Sequence, residues 1–157
     1  MLAAQQGIMQ QNKDIKLNVA CGLNPLEGYI GIDKCKESDA DIILDVTKEA
    51  LPYKDNSVDD ITTKHTLEHF DFEGTIFVMN EFWRVLKPGH ILYAIVPHRK
   101  GEGAWTLSHK TYWDERSFTF FTQDRNYKLY GVKLWKIKQV VTNKRPEVHC
   151  KMEPIKP

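Results

Sequence analysis

Cysteine is scarce in this 157-residue chain: only Cys21, Cys35 and Cys150 occur. An odd, scattered set builds no disulfide framework, and no Cys-x-x-Cys pair suggests zinc, so no metal site is expected. No apolar run approaches the roughly 20 residues of a membrane span. The opening MLAAQQGIMQQNKD has neither the basic start nor the apolar core of a secretion signal. No membrane partner is expected, and a reducing cytoplasm is the expected compartment. Net charge is nearly absent at +1, so no chain-wide polyelectrolyte partner is implied and nucleic acid is not favoured. Repeats and domain linkers are missing too. A single domain over residues 15–157 is expected after a Gln-rich tail over residues 1–14. Oligomeric state is left open.

Charge is nevertheless uneven. Residues 125–157 carry nine Lys or Arg against Glu147 and Glu153, a local +7 that leaves −6 on residues 1–124. An anionic partner would use that segment. Lys136 and Lys138 alternate with Trp135 and Ile137, however, and a solvated strand face explains them more simply.

What is present is an alternation of strand and helix signals. IKLNVA (15–20), YIGID (29–33), DIILDV (41–46), a strand around Asp60–Thr63 and ILYAIVP (91–97) read as strands. DFEGTIFVMNEFWRVLKPGH (71–90) reads as a helix, with Ile76, Met79, Trp83 and Leu86 at three- and four-residue spacing and Pro88-Gly89 as its stop. DERSFTFFT (114–122) is a short helix capped by Asp114. VKLWKIKQVVTN (132–143) and EVHCKMEPIK (147–156) read as an antiparallel pair. The expected class is α/β with a mostly parallel sheet. Only eight residues separate Ala20 from Tyr29, fewer than a parallel crossover normally needs. The helix after strand one is therefore shortened or absent.

Ligands of such sheets sit beyond the carboxyl ends of the strands. Each end here carries a useful group: Cys21-Gly22, Asp33, Asp45, Lys64-His65 and Pro97-His98. Asp33, eleven residues after Gly22, is placed to accept ribose hydroxyls. Asp45 is either a helix cap ahead of TKEA or a neighbour of a base. Read alone, LNVACGLNP (17–25) is a strand and a turn with one glycine, Gly22. The Gly-x-Gly-x-x-Gly of nicotinamide enzymes is missing, and so is a Tyr-x-x-x-Lys.

Taken together, LNVACG, GYIGID, LP-x-x-DNSVD, H-x-LEH and E-x-x-RVLKPG resemble the class I S-adenosylmethionine-dependent methyltransferases, in their small methyltransferase-11-like branch. The resemblance covers roughly residues 15–98. It implies a Rossmann-like fold, S-adenosylmethionine as cofactor, S-adenosylhomocysteine as product and methyl transfer as the activity. It also implies that Ala20, Cys21, Gly22 and Asn24 lie under the methionine part, with Lys64 and His65 alongside. Asp33 and Lys34 would meet the ribose, and Asp45 and Val46 the adenine. Glu81, Arg84 and Lys87-Pro88-Gly89 are family marks assigned to structure. Ala20 and Asn24 stand where the family has loop glycines, and His90 replaces the second glycine of PGG. A left-handed Asn24, or a re-routed loop, is therefore expected.

Acceptor chemistry is less legible. Methyl transfer from a sulfonium is mostly positioning, and a base is needed only if the acceptor loses a proton. His98 and His109, in the long loop after the fifth strand, are the candidate bases, ahead of His65. Trp105, Tyr112, Trp113, Phe118, Phe120 and Phe121 are candidate walls of an acceptor pocket, although for Phe118 and Phe121 a core-facing position is favoured. The Asn/Asp-Pro-Pro-aromatic stretch of exocyclic-nitrogen methyltransferases is missing after strand four. The expected acceptor is a small molecule or peptide. The alternatives are a catalytically weak cofactor-binding partner subunit and, less favoured, a nicotinamide oxidoreductase.

Overall fold

The computed structural model describes residues 14–157. The tail expected over residues 1–14 lies, apart from Asp14, outside the described residues. Seven strands form one sheet: β1 (Lys16–Val19), β2 (Ile30–Asp33), β3 (Ile42–Ile43), β4 (Val58–Lys64), β5 (Leu86–Pro97), β6 (Trp135–Thr142) and β7 (Glu147–Pro154). Their order is β3-β2-β1-β4-β5-β7-β6. The first five run parallel, and β7 is antiparallel to both β5 and β6. This is the expected Rossmann-like sheet with its antiparallel C-terminal pair. Strand order reverses beside β1, which pairs with β2 on one side and β4 on the other. That reversal opens the crevice where such sheets take ligands.

Leu17, Ile61 and Leu92 stand in register across β1, β4 and β5 and are fully buried. Val78, Met79 and Phe82 of helix α1 (Phe72–Val85) belong to the same core cluster. Asp71 caps α1 by accepting from the Gly74 N–H at 2.9 Å. The helix does not run to Pro88-Gly89 as its periodicity suggests. It ends at Val85, Leu86 is extended (φ −69°, ψ 134°), and β5 starts at once. Pro88 acts on the residues before it: its ring excludes a helical bond to the Arg84 carbonyl and biases Lys87 toward extended backbone. The Arg84 carbonyl instead accepts from the Asn56 N–H at 3.0 Å and from Lys156 Nζ at 3.1 Å.

Two further boundaries differ from expectation. β3 keeps only two residues, because Asp45 Oδ1 accepts from both the N–H and the hydroxyl of Thr47 and turns the chain. A second helix, α2 (Asp124–Tyr130), follows the Asp114-capped 3-10 segment Glu115–Thr122 and was not anticipated. Gly131, left-handed at φ 68°, closes it.

The β1–β2 connection contains turns and no helix. Side chains hold what a helix would otherwise hold. Asn18 Oδ1 accepts from the Leu26 N–H at 3.0 Å, Asp33 Oδ2 from Gly22 N–H at 2.9 Å and Asp41 Oδ2 from Gly31 N–H at 2.8 Å.

The E-x-x-R pair of α1 ties the helix to the segment before β4. Arg84 grips Glu81 through Nε (2.7 Å) and Nη2 (2.8 Å) and donates to the carbonyls of Tyr53 (2.8 Å) and Leu51 (3.1 Å). Glu81 Oε2 also accepts from the Leu51 N–H at 2.9 Å. The Arg84 guanidinium holds the Glu81 carboxyl below its ordinary value. A carboxyl whose pKa is depressed by folding stabilises the fold above its unfolded pKa, and that contribution is lost as pH falls through the folded value. Glu81→Gln should therefore cost about 1–3 kcal/mol at neutral pH. It should also flatten the loss of stability below about pH 4 in urea melts. An unchanged acid limb would remove Glu81 from this role.

Candidate active site

Every parallel strand end contributes backbone or side chain to one edge of the sheet. Beyond β1, Ala20 (φ 56°) and Gly22 (φ 58°) are left-handed; beyond β4, His65 is (φ 52°). Asn24, the position expected to be left-handed, is not among the positive-φ residues. The strain falls on Ala20 because its N–H donates back to the Ile32 carbonyl at 2.7 Å, so the chain must reverse immediately after Val19. Histidine tolerates this conformation better than most residues, and the His65 N–H is fixed to the Ile95 carbonyl at 2.8 Å.

Three cavities adjoin along this edge. The first, about 310 Å³, is lined by Ala20, Asp33, Lys34, Asp45, Val46, His65 and His69, with Ile32, Leu44 and Phe70 as apolar walls. The second, about 670 Å³, takes Asn18, Ala20, Cys21, Asn24, Lys64, His65 and Tyr93. The third, about 420 Å³, takes His65, Glu68, His69, Pro97, His109, Arg145 and Glu147. Ala20 and His65 are common to the first two, and His65 and His69 to the first and third. Of the ten residues expected at a cofactor, nine line the first or second cavity; Gly22 lines neither, but its N–H is held by Asp33.

Asp33 ends β2 and lines the first cavity. Oδ2 accepts from Gly22 N–H and Oδ1 from Cys35 N–H, both at 2.9 Å, which leaves each oxygen a further lone pair. Asp45 both caps its turn and lines the first cavity, so its two readings are compatible. The Thr47 hydroxyl is the main cause of a carboxyl held below its usual range.

The two candidate bases are not brought together. His98 lines none of the three cavities; its Nδ1 accepts from the Lys100 N–H at 3.1 Å, and Nε2 lies 3.5 Å from Glu115. His109 does line the third cavity. Beside it is a residue sequence reading passed over. Glu68 is 1 % exposed, and neither carboxylate oxygen has a hydrogen-bond partner. Burial pushes its carboxyl up to about 7, and the nearby backbone N–H groups offset only part of that. Burial, then the neighbouring His109, holds His69 below the ordinary histidine value. The signal for Glu68 was the LEH wording itself, but only burial separates it from a surface helix-start acid.

The aromatic residues expected to wall an acceptor pocket divide between the core, the surface and a fourth cavity. Phe118 and Phe121 are core, and Trp113 stacks on Phe118 at 5.0 Å. Trp105 is 69 % exposed and stacks on Tyr112. Tyr112, Trp113, Phe120 and Phe121 wall a separate cavity of about 500 Å³ with Phe72 and Ile76 of α1, which shares no lining residue with the other three.

A parallel sheet reversing beside β1, a carboxylate ending β2 and a left-handed turn under the crevice define a Rossmann-like nucleotide-cofactor enzyme. Within that class, residues 12–94, a little over half the chain, match the family described as "Methyltransferase domain", and the chain belongs to that family. S-adenosylmethionine is accordingly its cofactor and methyl transfer its chemistry. No curated protein matches the chain. Solved structures agree on the fold. A S-adenosylmethionine-dependent methyltransferase of Methanosarcina mazei is 17% identical, with 93% of this chain and 95% of that one covered and a TM-score of 0.64. A putative methyltransferase of Haloferax volcanii, solved with the Trm112 methyltransferase activator, is 14% identical over 90% and 83% of the chains, with a TM-score of 0.65. A 16S rRNA (adenine(1408)-N(1))-methyltransferase of Catenulisporales acidiphilia, solved with its cosubstrate, is 12% identical over 92% and 86%, with a TM-score of 0.60.

The residues present fit the cofactor: a carboxylate with free lone pairs for a diol, apolar walls for a flat base, and left-handed backbone beneath. Ala20 also yields a direct test of the loop. A left-handed Cβ costs roughly 1–2 kcal/mol, whereas glycine costs about 0.4–1 kcal/mol through the unfolded chain. Ala20→Gly should leave the melting temperature unchanged or raise it, by a gain of up to about 1.6 kcal/mol. A clear fall would contradict the backbone described at residue 20.

Proposed function

We propose that this methyltransferase acts on a small molecule or peptide whose nucleophilic atom enters the third cavity. The observation that carries the reading is the sharing of His65 and His69 by the first and third cavities, which sets acceptor space beside cofactor space. In this reading Asp33 and Lys34 hold the ribose, and Asp45 and Val46 flank the adenine. Ala20, Cys21, Gly22, Asn24, Lys64 and His65 run along the methionine part. S-adenosylmethionine supplies an already activated methyl on a sulfonium. The chain has to align the acceptor, exclude water and take a proton where the acceptor releases one. His109 and Glu68 face the cavity and are the groups placed for that proton; His98 is set aside. Arg145, exposed at the rim, favours an acceptor with anionic character.

A catalytically weak partner subunit was suggested by the thinned glycine loop. The left-handed Ala20 retains the turn without that glycine, which favours the enzyme. Calorimetry tests the assignment at its centre. Asp33→Ala should weaken S-adenosylmethionine binding by at least about tenfold, one charge-assisted hydrogen bond at 1.5–3 kcal/mol. An unchanged dissociation constant in a folded variant would remove Asp33 from the ribose. S-adenosylhomocysteine release against a pool of anionic metabolites and short peptides then identifies the acceptor.

A further inference from the structure

Glu68 poses a problem that the core does not solve. Buried ionised carboxylates are paired or hydrogen-bonded, yet both of its oxygens lack a donor although the residue is 1 % exposed. His109 faces it, with Nε2 3.9 Å from Oε1. That is too long for a hydrogen bond.

The tautomer of His109 sharpens the problem. Its Nδ1 is 3.0 Å from the carbonyl of Ala104. A carbonyl only accepts, so Nδ1 carries a proton, and Nε2 is the ring atom turned toward Glu68. This is the arrangement that orients metal-bound histidines, with the far ring nitrogen donating to a backbone carbonyl. His69 completes the set. Its ring stands at 87° to that of His109, with centroids 4.7 Å apart. One ligand atom from each of Glu68, His69 and His109 lies within 4.8 Å of the other two, the one such trio among the described residues.

We propose that Glu68, His69 and His109 bind one divalent first-row transition-metal ion, of the kind represented by Zn²⁺ and Co²⁺. Two imidazoles and a carboxylate suit these ions, whereas Mg²⁺ and Ca²⁺ prefer all-oxygen sites. Tetrahedral ligands at 2.0–2.2 Å from zinc stand about 3.4 Å apart, so the 3.9 Å between Glu68 and His109 must close by about 0.5 Å, and the trio, spread over no more than 4.8 Å, by at most about 1.4 Å through side-chain rotation. The frame is fixed by backbone. The N–H groups of Lys110 and Thr111 donate to the Glu68 carbonyl at 2.7 and 3.1 Å, and the Thr111 hydroxyl donates to the Leu67 carbonyl at 3.2 Å. These bonds clasp the loop that carries His109 to the turn that carries Glu68 and His69. No ligand spacing is visible along the chain because His109 lies 40 residues beyond His69.

Three protein ligands leave positions open on the ion, and all three residues line the third cavity. An acceptor oxygen entering there would complete the coordination and become easier to deprotonate; with Glu68 and His109 engaged as ligands, the proton would pass to His65 on the same cavity or to water rather than to them. This last point, that the ion grips a hydroxyl or other oxygen acceptor, rests on the proposed function; the binding of the ion does not.

The test uses the full chain after chelator treatment and dialysis. Titration with Co²⁺ should give visible d–d absorption saturating at one ion per chain, abolished by competing Zn²⁺. Zn²⁺ should raise the melting temperature, and Mg²⁺ at the same concentration should not. Glu68→Gln and His109→Ala should each weaken Co²⁺ binding by more than the roughly 10–100-fold that losing an outer-shell partner costs. His90→Ala, at the opposite end of β5, should leave it unchanged. If Glu68→Gln does not fold, His109→Ala and the wild-type zinc shift decide. Absence of stoichiometric Co²⁺ and Zn²⁺ binding by the wild type, or Co²⁺ binding untouched in folded variants, overturns the proposal. S-adenosylmethionine calorimetry on the same metal-free sample separates the outcomes. Cofactor binding without metal binding overturns the metal site alone, and metal binding without cofactor binding overturns the proposed function alone.

Discussion

The Asp33 carboxylate is the contact on which the edge proposed for the cofactor depends. It closes β2 and accepts from the N–H groups of Gly22 and Cys35. Most sheets of this type position the first loop with a helix between β1 and β2, and here that connection contains none. One charged side chain therefore does two jobs. It fixes the loop that follows β1, and it keeps a lone pair on each oxygen for a ligand. Asn18 and Asp41 extend the same device to Leu26 and Gly31. Three side chains bonded to backbone stand in for a helix that the chain has no residues to build.

His65 links this edge to the rest of the site. Its left-handed backbone ends β4 and turns the chain into the Leu67–His69 segment. Its ring, 2.8 Å from Glu147 on β7, joins the parallel half of the sheet to the antiparallel pair. The residue borders all three cavities. The basic segment over residues 125–157 reaches the third cavity here, through Arg145 in the β6–β7 turn.

The sheet was legible because buried parallel strands leave near-continuous apolar runs and because each run ends on a polar residue. Asp33, Asp45 and His65 were read from those ends. Boundaries were less legible where two signals compete. Periodicity alone carried the helix to Pro88, but the proline acts on the residues before it, and the burial of Leu86 against Val58 gives the strand those positions. Helix α2 is short and weakly patterned, and only Gly131 marks it. Asn24 was expected to bear the backbone strain because it departs from the family's glycine. The strain sits instead on Ala20, where the Ile32 carbonyl forces the reversal. Glu68 escaped notice for a different reason: a sequence shows that a residue is acidic, not that it is buried without a donor.

The account stands or falls on where the cofactor's sugar lies. A crystal structure of the chain with S-adenosylhomocysteine tests this most directly. The account predicts both ribose hydroxyls within hydrogen-bond distance of Asp33, the adenine against Val46, and the Gly22 N–H still donating to Asp33. A nucleoside bound in the aromatic cavity between α1 and Glu115–Thr122, or at the strand ends without contact to Asp33, would contradict it.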